Sequence, residues 1–390
     1  MVIKMDSFIL TKVSKKSNKI NLISFNCLLL TIFSCFYLTQ FPTLSIVIVV
    51  FPLFIEMLLF IIFNHKLRLN VCTILSMIMI LLTMVYQYFW LRNEECLSFV
   101  FSLLYFLIMF ISFEHIEKRY LEKLSKVMLL FAAFILTLDA IYRFLNPRKS
   151  VFAIGEYAFY KYKGEGIIFN DTNNTGMLVL TCLGFLFYLS YYFDKSFILF
   201  KIVFTILLVL TFCRAAIFMY LICIPFLIRK IPVSFKIVLL VLIAMVGLLF
   251  YNRITDYLLS DASTEYKINV FSSTLDYINS KDLLTLFFGI GFTNSIKEFG
   301  TFTHSWPLTF FIEFGFIGFI LILLFWFSIC YITDYKALYV LAPFLLAGLS
   351  YFPLLCPYLY SACIFIYYLE KRKKECVNYE CNSVYYNSNV

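Results

Sequence analysis

Long apolar runs recur along this chain, and they constrain its fold more than any other feature. Each run has about 17–25 residues, enough for a helix to cross roughly 30 Å of hydrocarbon. Hydrophobic residues make up 62% of the chain and charged residues only 14%, against about 25% charged in soluble domains. The runs are longer than the roughly ten-residue strands of a membrane barrel. The sequence therefore predicts an all-α polytopic membrane protein.

We predict about twelve transmembrane helices within a single integral membrane domain covering residues 1–390. The basic N-terminal tail has no small-residue cleavage site after its first apolar run, so we expect that run to be a retained helix. The expected spans are about 22–39, 43–63, 71–91, 96–113, 126–145, 176–193, 196–213, 215–229, 235–251, 307–331, 336–350 and 353–369.

The distribution of Lys and Arg predicts the orientation. Most of the 32 Lys and Arg residues fall on one side when the N-terminus is placed inside, as the positive-inside rule requires. Both termini are then cytoplasmic, with tails at about 1–21 and 370–390. Two long outer loops follow, at about 146–175 and 252–306, and loops of this length are usually functional or disordered.

The net charge of +9 comes from these cytoplasmic segments, so we expect no nucleic-acid partner. The 12 cysteines form no CxxC or Cys/His pattern typical of zinc. The chain also has no P-loop, no outer Asp-x-Asp pair and no Gly-x-Ser-x-Gly elbow. An enzyme of this kind would use no metal and no cofactor, and its substrate would arrive in the membrane.

The first outer loop ends in a carboxamide-rich stretch that includes Asn170, Asp171, Asn173 and Asn174, just before a helix expected at Gly176. Carboxamides both donate and accept hydrogen bonds, which suits sugar hydroxyls. The same residue types are favoured at helix caps. Both interpretations remain open from the residues alone.

Arg214 separates two apolar runs at the outer surface, with the small residues Ala215 and Ala216 after it. A guanidinium presents five donors in a planar fork that matches phosphate oxygens. Arg214 could equally be an interfacial anchor whose head reaches the lipid headgroups.

The second outer loop leads into the most distinctive stretch of the chain. Gly289 and Gly291 form a turn followed by Asn294, and His304 precedes a helix that we expect to open at Pro307. Glu313 would then lie about 13 Å inside that helix. A histidine can act as a base at neutral pH or serve as a cap, whereas a carboxylate within a span usually faces a cavity or a partner.

Other charges lie within predicted spans. Asp139 and Arg143 are four residues apart and can pair on one helix face, so a structural role suffices for them. Glu56 has no evident partner in the sequence.

Together these motifs resemble the O-antigen polymerase and O-antigen ligase family of bacterial membrane proteins. The resemblance covers roughly 164–320 by motif and the rest by topology. It is carried by Phe169-Asn170 through Gly176, by Arg214-Ala215-Ala216, by the G-x-G-x-x-N turn, and by His304 followed by Glu313-x-Gly315-x-x-Gly318. The family often has His-Asn where this chain has His304-Ser305. It also often has an Arg early in the large loop, where Arg253 or Lys267 would stand.

The resemblance implies a metal-independent glycosyltransferase on the outer face of the bacterial cytoplasmic membrane. Its donor is an oligosaccharide carried on undecaprenyl pyrophosphate. In this reading His304 is the base that takes the acceptor proton, Arg214 holds the pyrophosphate, and Glu313 orients the base or the acceptor. The expected substrate-binding residues are Asn170, Asn173, Asn174, Arg253, Lys267, Gly289, Gly291 and Asn294. Membrane lipids and the chain-length regulator and flippase of the same pathway are the implied partners.

We expect a polymerase that extends O-antigen or capsular polysaccharide, because divergent chains rich in Phe, Tyr and Ile, like this one, are common in the clusters that make these glycans. A ligase that moves the finished glycan to another acceptor shares the same motifs. A flippase for the same lipid-linked sugar is the alternative from another class. Transporters usually show internal repeats and polar breaks at the membrane centre, and the sequence shows no repeat.

Overall fold

A computed structural model describes residues 70–89, 96–147, 161–228, 231–249, 262–291, 294–300, 303–353 and 356–387. These residues are helical or irregular, and none of them lies in a strand. The predicted spans 22–39 and 43–63 fall outside the described residues, as do Glu56 and Arg253. The chain is thus all-helical throughout the part that the structure describes.

Every predicted span within the described ranges coincides with a helix. The first seven helices are α1 (Val71–Phe89), α2 (Cys96–Ser112), α3 (Lys118–Leu145), α4 (Thr172–Tyr192), α5 (Ile198–Leu210), α6 (Arg214–Leu227) and α7 (Val233–Leu249). The later ones are α8 (Ala262–Ser280), α9 (Leu283–Phe288), α10 (Ser295–Phe299), α11 (Trp306–Ile332), α12 (Leu338–Gly348) and α13 (Pro357–Asn387).

By length and hydropathy alone, α3, α4 and α11 could each cross a membrane, but α11 is interrupted at Gly315. Several shorter apolar helices accompany them. These helices support the prediction that this is an α-helical membrane protein.

The second predicted loop contains its own helices, α8, α9 and α10. Lys281 and Glu298 form a salt bridge of 2.6 Å between the end of α8 and α10. The Tyr277 ring packs edge-on against Phe299, with centroids 5.7 Å apart. Burial raises the pKa of the Tyr277 hydroxyl to about 12, and the nearby carboxylates of Glu298 and Asp282 add to the effect. This part of the loop is folded against itself.

The chain divides into two compact units, of which the first comprises residues 1–70, 105–172 and 357–390. In this unit α13 packs along α3. Ser361 donates a hydrogen bond to the Tyr105 hydroxyl at 3.1 Å, and Lys371 pairs with Glu114 at 2.6 Å. Glu114 precedes the basic start of α3, and Lys371 begins the basic tail. Two segments predicted for the cytoplasmic side therefore meet at one place.

The predicted pair of Asp139 and Arg143 is confirmed in α3, where Arg143 Nε lies 2.9 Å from Asp139 Oδ2 and both side chains are buried. The other carboxylate oxygen, Oδ1, accepts hydrogen bonds from the backbone N–H groups of Ile167 and Ile168 at 2.7 and 3.2 Å. The buried charge thereby holds the end of the first outer loop against α3. A side chain at Gly166 would collide with this carboxylate, because its Cβ would lie 2.2 Å from Oδ1.

The second unit comprises residues 71–104 and 173–356. Here α11 packs on α1, α12 packs on α6, and α9 lies along α11. The helix α4 is the most enclosed of the three candidate spans. Gly184 allows α4 to approach α12 closely, since a Cβ there would lie 2.3 Å from the Tyr339 carbonyl oxygen.

The helix α11 breaks at Gly315, whose φ of 67° and ψ of −172° are not helical. Trp306 and Trp326 are 20 residues apart, which is about 30 Å along a straight helix, yet their ring centroids are 5.0 Å apart. The half-helix 306–314 therefore folds back along the half-helix 316–332. The prediction of one continuous span over 307–331 is wrong in this respect, and the glycine at 315 is the physical reason.

The Gly289–Gly291 turn supplies the backbone N–H donors that the carbonyls of α11 lose at the break. In a continuous helix the carbonyls of Ile312 and Glu313 would accept from N–H groups four residues later. Instead they accept from the backbone N–H groups of Ile290 and Gly291, at 3.0 and 2.9 Å. Backbone polar groups at membrane depth must be paired within the protein. The two glycine motifs are thus halves of one structural joint.

The fold-back also reverses the order of His304 and Glu313. Phe352 donates its backbone N–H to the His304 carbonyl at 2.8 Å and lies beside Trp326, with ring centroids 6.2 Å apart. Trp326 lies about 15 Å beyond Phe316 along the second half-helix. His304 is therefore displaced towards Ile332 relative to Glu313. The direction from His304 to Glu313 is thus opposite to the one expected for a straight α11, although His304 still precedes the helix and Glu313 still lies within it.

Replacing Gly315 with Ala should destabilise the protein strongly. An added Cβ would lie 2.4 Å from the Phe287 carbonyl group and 2.5 Å from the Gly289 nitrogen, on a left-handed φ. Strain and overpacking together should lower the free energy of unfolding by roughly 2–5 kcal/mol. The measurement is thermal unfolding of the full chain in detergent micelles.

Gly300→Ala is the matched control, because Gly300 has a φ of 71° but no atom within 4 Å of the added Cβ. It should lose only about 1 kcal/mol from backbone strain. An equal loss of stability in the two variants would contradict the close packing of Gly315 against the Gly289–Gly291 turn.

Candidate functional site

His304 lies just before α11 in a left-handed backbone conformation, with φ 57°. Non-glycine residues seldom adopt this conformation, and those that do cluster at functional sites. The hydrogen bond from the Phe352 backbone N–H to the His304 carbonyl fixes the backbone of His304. The imidazole stacks on the Tyr351 ring, with centroids 5.9 Å apart and 27° between the planes. His304 is thus held in one place by the segment that follows α12.

Tyr351 connects His304 to the carboxamide stretch. Its hydroxyl donates a hydrogen bond to Asn174 Oδ1 at 3.1 Å, across 177 positions of the chain. Asn174 lies in the first turn of α4, because this helix begins at Thr172. The predicted start at Gly176 is therefore wrong by four residues. Polar side chains suit a first turn, where backbone N–H groups have no helical acceptor, so Asn173 and Asn174 belong to the helix.

The same end of α4 adjoins the segment that carries Arg214. A Cβ added to Gly176 would lie 2.4 Å from Cys213 Cβ and 3.2 Å from Thr211 Oγ1, so the two segments touch there. Arg214 follows directly and is the first residue of α6, as predicted, with an exposed side chain. The carboxamides of α4 and the guanidinium of α6 thus belong to adjoining segments.

Thr175, in the first turn of α4, adds a buried polar group that has no hydrogen-bond partner. Its hydroxyl is buried and has no hydrogen-bond partner. Deeper in a helix a threonine hydroxyl can bond to the carbonyl four residues earlier, but that residue is Asp171, which precedes α4. An unpaired buried hydroxyl destabilises a protein by about 1–3 kcal/mol, and such groups in native structures call for an explanation such as a ligand or water.

Glu313 has a buried partner, as expected of a carboxylate in an apolar helix. Its Oε1 accepts a hydrogen bond from Ser295 Oγ at 2.5 Å, a length typical of a charged acceptor. The Glu313 backbone carbonyl also accepts from Gly291. Both contacts tie Glu313 to the Gly289–Gly291 turn and to α10.

Asn294 braces the same turn. Its Nδ2 donates to the Ile290 carbonyl at 2.9 Å, while its Oδ1 is buried without a hydrogen-bond partner. The described residues contain no group of three His, Cys, Asp or Glu side chains placed to hold a metal ion.

The structure also describes two further residues predicted to bind substrate, Asn170 and Lys267. Asn170 is exposed and belongs to the first unit, whereas Asn173 and Asn174 belong to the second. Lys267 lies in α8. The sequence analysis missed Tyr351 and Thr175, because nothing in the pattern distinguishes Tyr351 among 28 tyrosines. The polar composition of 170–175 was the only indication of Thr175.

Comparisons with protein-family models, with curated proteins and with solved structures found no significant match to this chain.

Replacing Ser295 with Ala should destabilise the protein, because the Glu313 carboxylate would remain buried without its donor. Loss of a hydrogen bond to a charged group corresponds to about 1.5–3 kcal/mol in the free energy of unfolding. Ser305→Ala is the control, since the Ser305 side chain makes no capping hydrogen bond at the start of α11. Thermal unfolding in micelles compares the two variants. Equal stability would show that the Ser295 contact does not support Glu313.

Proposed function

We propose that this chain is a polysaccharide polymerase of the bacterial cytoplasmic membrane, which joins oligosaccharide repeat units carried on undecaprenyl pyrophosphate. One observation supports it above the others. The stretches around Asn174, Arg214 and His304, which the sequence analysis assigned to one membrane side, lie in one compact unit. Tyr351 contacts both His304 and Asn174. Gly176 of α4 lies against Cys213, the neighbour of Arg214. Helix packing alone does not require polar motifs to converge.

The proposed reaction forms a glycosidic bond at the anomeric carbon of the donor sugar. An acceptor hydroxyl oxygen attacks this carbon, and the bond to the pyrophosphate oxygen breaks, so the leaving group takes the electron pair. His304 accepts the hydroxyl proton. Arg214 neutralises the charge that develops on the pyrophosphate. Because pyrophosphate leaves readily as an anion, this step needs no strong general acid.

Asn174 and Thr175 are placed to hold sugar. The Asn174 amide group keeps its Nδ2 donors when Oδ1 accepts from Tyr351. The Thr175 hydroxyl can donate and accept. Tyr351 serves as a positioning residue, because it contacts both the proposed base and a proposed sugar ligand.

Glu313 fits a positioning role at the Gly289–Gly291 turn better than contact with substrate. Its carboxylate and its backbone carbonyl are both engaged with that turn and its neighbour Ser295. In this proposal Glu313 fixes the half-helix 306–314, and the half-helix in turn sets the position of His304. Asn294, with its unpaired Oδ1, would contact the acceptor sugar.

The full topology belongs to the same proposal: twelve spans, two outer loops and both termini in the cytoplasm. The contacts between segments support this topology. Within the second unit, Tyr351 contacts Asn174 and His304, and Gly176 lies against Cys213. All of these residues lie in outer segments or at the outer ends of spans in the predicted topology. At the other end of α4, segments predicted to be inside adjoin one another as well. Charge counting and three-dimensional contacts thus agree on which segments share a side.

Arg214→Ala and His304→Ala should each abolish polymer formation while the protein still inserts. Arg214→Lys should also be poor, because an ammonium lacks the planar fork. Each variant would be expressed in a strain lacking the chromosomal gene, and the glycans would be resolved on a gel. Arg119→Ala is the control, since it breaks an exposed ion pair with Glu117, which contributes little.

The glycan profile of the deletion strain discriminates the alternatives. Single repeats without a ladder would support a polymerase. Long lipid-linked polymer that never reaches its acceptor would indicate a ligase, and repeats trapped at the cytoplasmic face would indicate a flippase. A normal ladder from His304→Ala or Arg214→Ala would overturn the roles given to these residues.

A further inference from the structure

A cavity lined by both apolar and polar side chains lies at the opposite end of α4 from the candidate site. Its volume is about 260 Å³, and Ser190 and Tyr191 in the last turns of α4 line it together with Tyr339 of α12. Ser190 follows Asn174 by 16 residues, which is about 24 Å along the helix. This cavity is therefore separate from the residues proposed for glycosyl transfer.

Two lysines and two serines line this cavity together with aromatic side chains. Lys195 and Ser196 belong to the turn after α4, and Lys201 lies in α5 with its Nζ 4.5 Å from the Phe187 ring centroid. Asp194 also lines the cavity. Among the described salt bridges none involves either lysine. The lining therefore carries an excess of positive charge.

Lys201 lies near the start of a helix, where a cation is disfavoured, and Asp194 is the one acidic residue among the described residues that line the same cavity. Lys201 is the fourth residue of α5, and the N-cap residue Phe197 supplies no side-chain acceptor to the first turn. The positive end of a helix dipole repels a cation. The first N–H groups of α5 also need acceptors. A negatively charged group in the cavity would satisfy both requirements.

A third lysine adjoins the same place. Lys336 Nζ lies 4.7 Å from the centroid of the Tyr191 ring, which lines the cavity. Lys195, Lys201 and Lys336 all belong to segments that the charge pattern assigns to the cytoplasmic side. The cytoplasmic leaflet is the one that carries anionic headgroups, and basic pockets between helices on this side bind them.

We propose that this cavity binds a phosphate ester group, with Lys195 and Lys201 contacting its oxygens. The volume is below the roughly 300–1,000 Å³ of pockets for drug-sized ligands, so it suits a headgroup and excludes a lipid-linked oligosaccharide. Ser196 and the hydroxyls of Tyr191 and Tyr339 are additional donors. The phosphate can belong to an anionic phospholipid or to a soluble phosphate ester. The proposal does not depend on glycosyl transfer.

The test uses the full-length protein in maltoside micelles, with thermal stability and native mass spectrometry as measurements. The probes are phosphatidylglycerol, phosphatidylcholine and soluble glycerol phosphate. We expect phosphatidylglycerol to raise the unfolding temperature more than phosphatidylcholine does. The Lys195→Gln/Lys201→Gln variant should bind phosphatidylglycerol about thirtyfold more weakly, from the usual contribution of two lysines near an anionic lipid.

The matched control is Lys123→Gln/Lys126→Gln, which removes two exposed lysines of α3 predicted for the same membrane side. It should bind phosphatidylglycerol like the wild type. Lys195→Gln alone changes an exposed residue and keeps the test valid if the double variant does not fold. Competition by glycerol phosphate would identify a soluble ester as the source, and no competition would identify the lipid headgroup. Equal binding by the cavity and control variants would overturn the proposal.

Discussion

Two backbone hydrogen bonds determine the arrangement of the second unit: from Ile290 N–H to the Ile312 carbonyl, and from Gly291 N–H to the Glu313 carbonyl. A helix cannot stop and reverse inside an apolar environment unless its released carbonyls find donors. The Gly289–Gly291 turn supplies these donors, and its close approach is possible only because residues 289 and 315 have no side chain. The half-helix 306–314, the contact between Ser295 and Glu313, and the location of His304 all follow from this joint.

The joint explains how His304 reaches the carboxamides of α4. In a straight α11, Trp306 would lie far from Trp326, and His304 would extend beyond the end of the helix. Reversal at Gly315 brings His304 beside the segment after α12, where Phe352 holds its carbonyl and Tyr351 stacks on its ring. His304, the proposed base, is therefore held by packed secondary structure on both sides, which is the fixed geometry that a catalytic group requires.

The sequence predicted what depends on local pattern. Hydrophobic runs located the helices, spacing predicted the pair of Asp139 and Arg143, and the polar interruption predicted the start of α6 at Arg214. It could not predict the break in α11, because 306–332 is apolar apart from Glu313 and a few hydroxyl residues, and glycines are ordinary in a membrane helix. The break depends on donors from residues 290 and 291. The role of Tyr351 likewise depends on contacts across 177 positions, which no local pattern records.

The hydrogen bond between Glu313 and Ser295 limits the roles that the Glu313 carboxylate can have in the proposed reaction. The family resemblance implied that Glu313 orients either the base or the acceptor. In the structure the Glu313 carboxylate is bonded to Ser295, and the fold-back displaces His304 towards Trp326. The proposed mechanism then needs one base and one cation, since an anionic pyrophosphate leaves without protonation. In that proposal Glu313 contributes the geometry of the joint and no second acid.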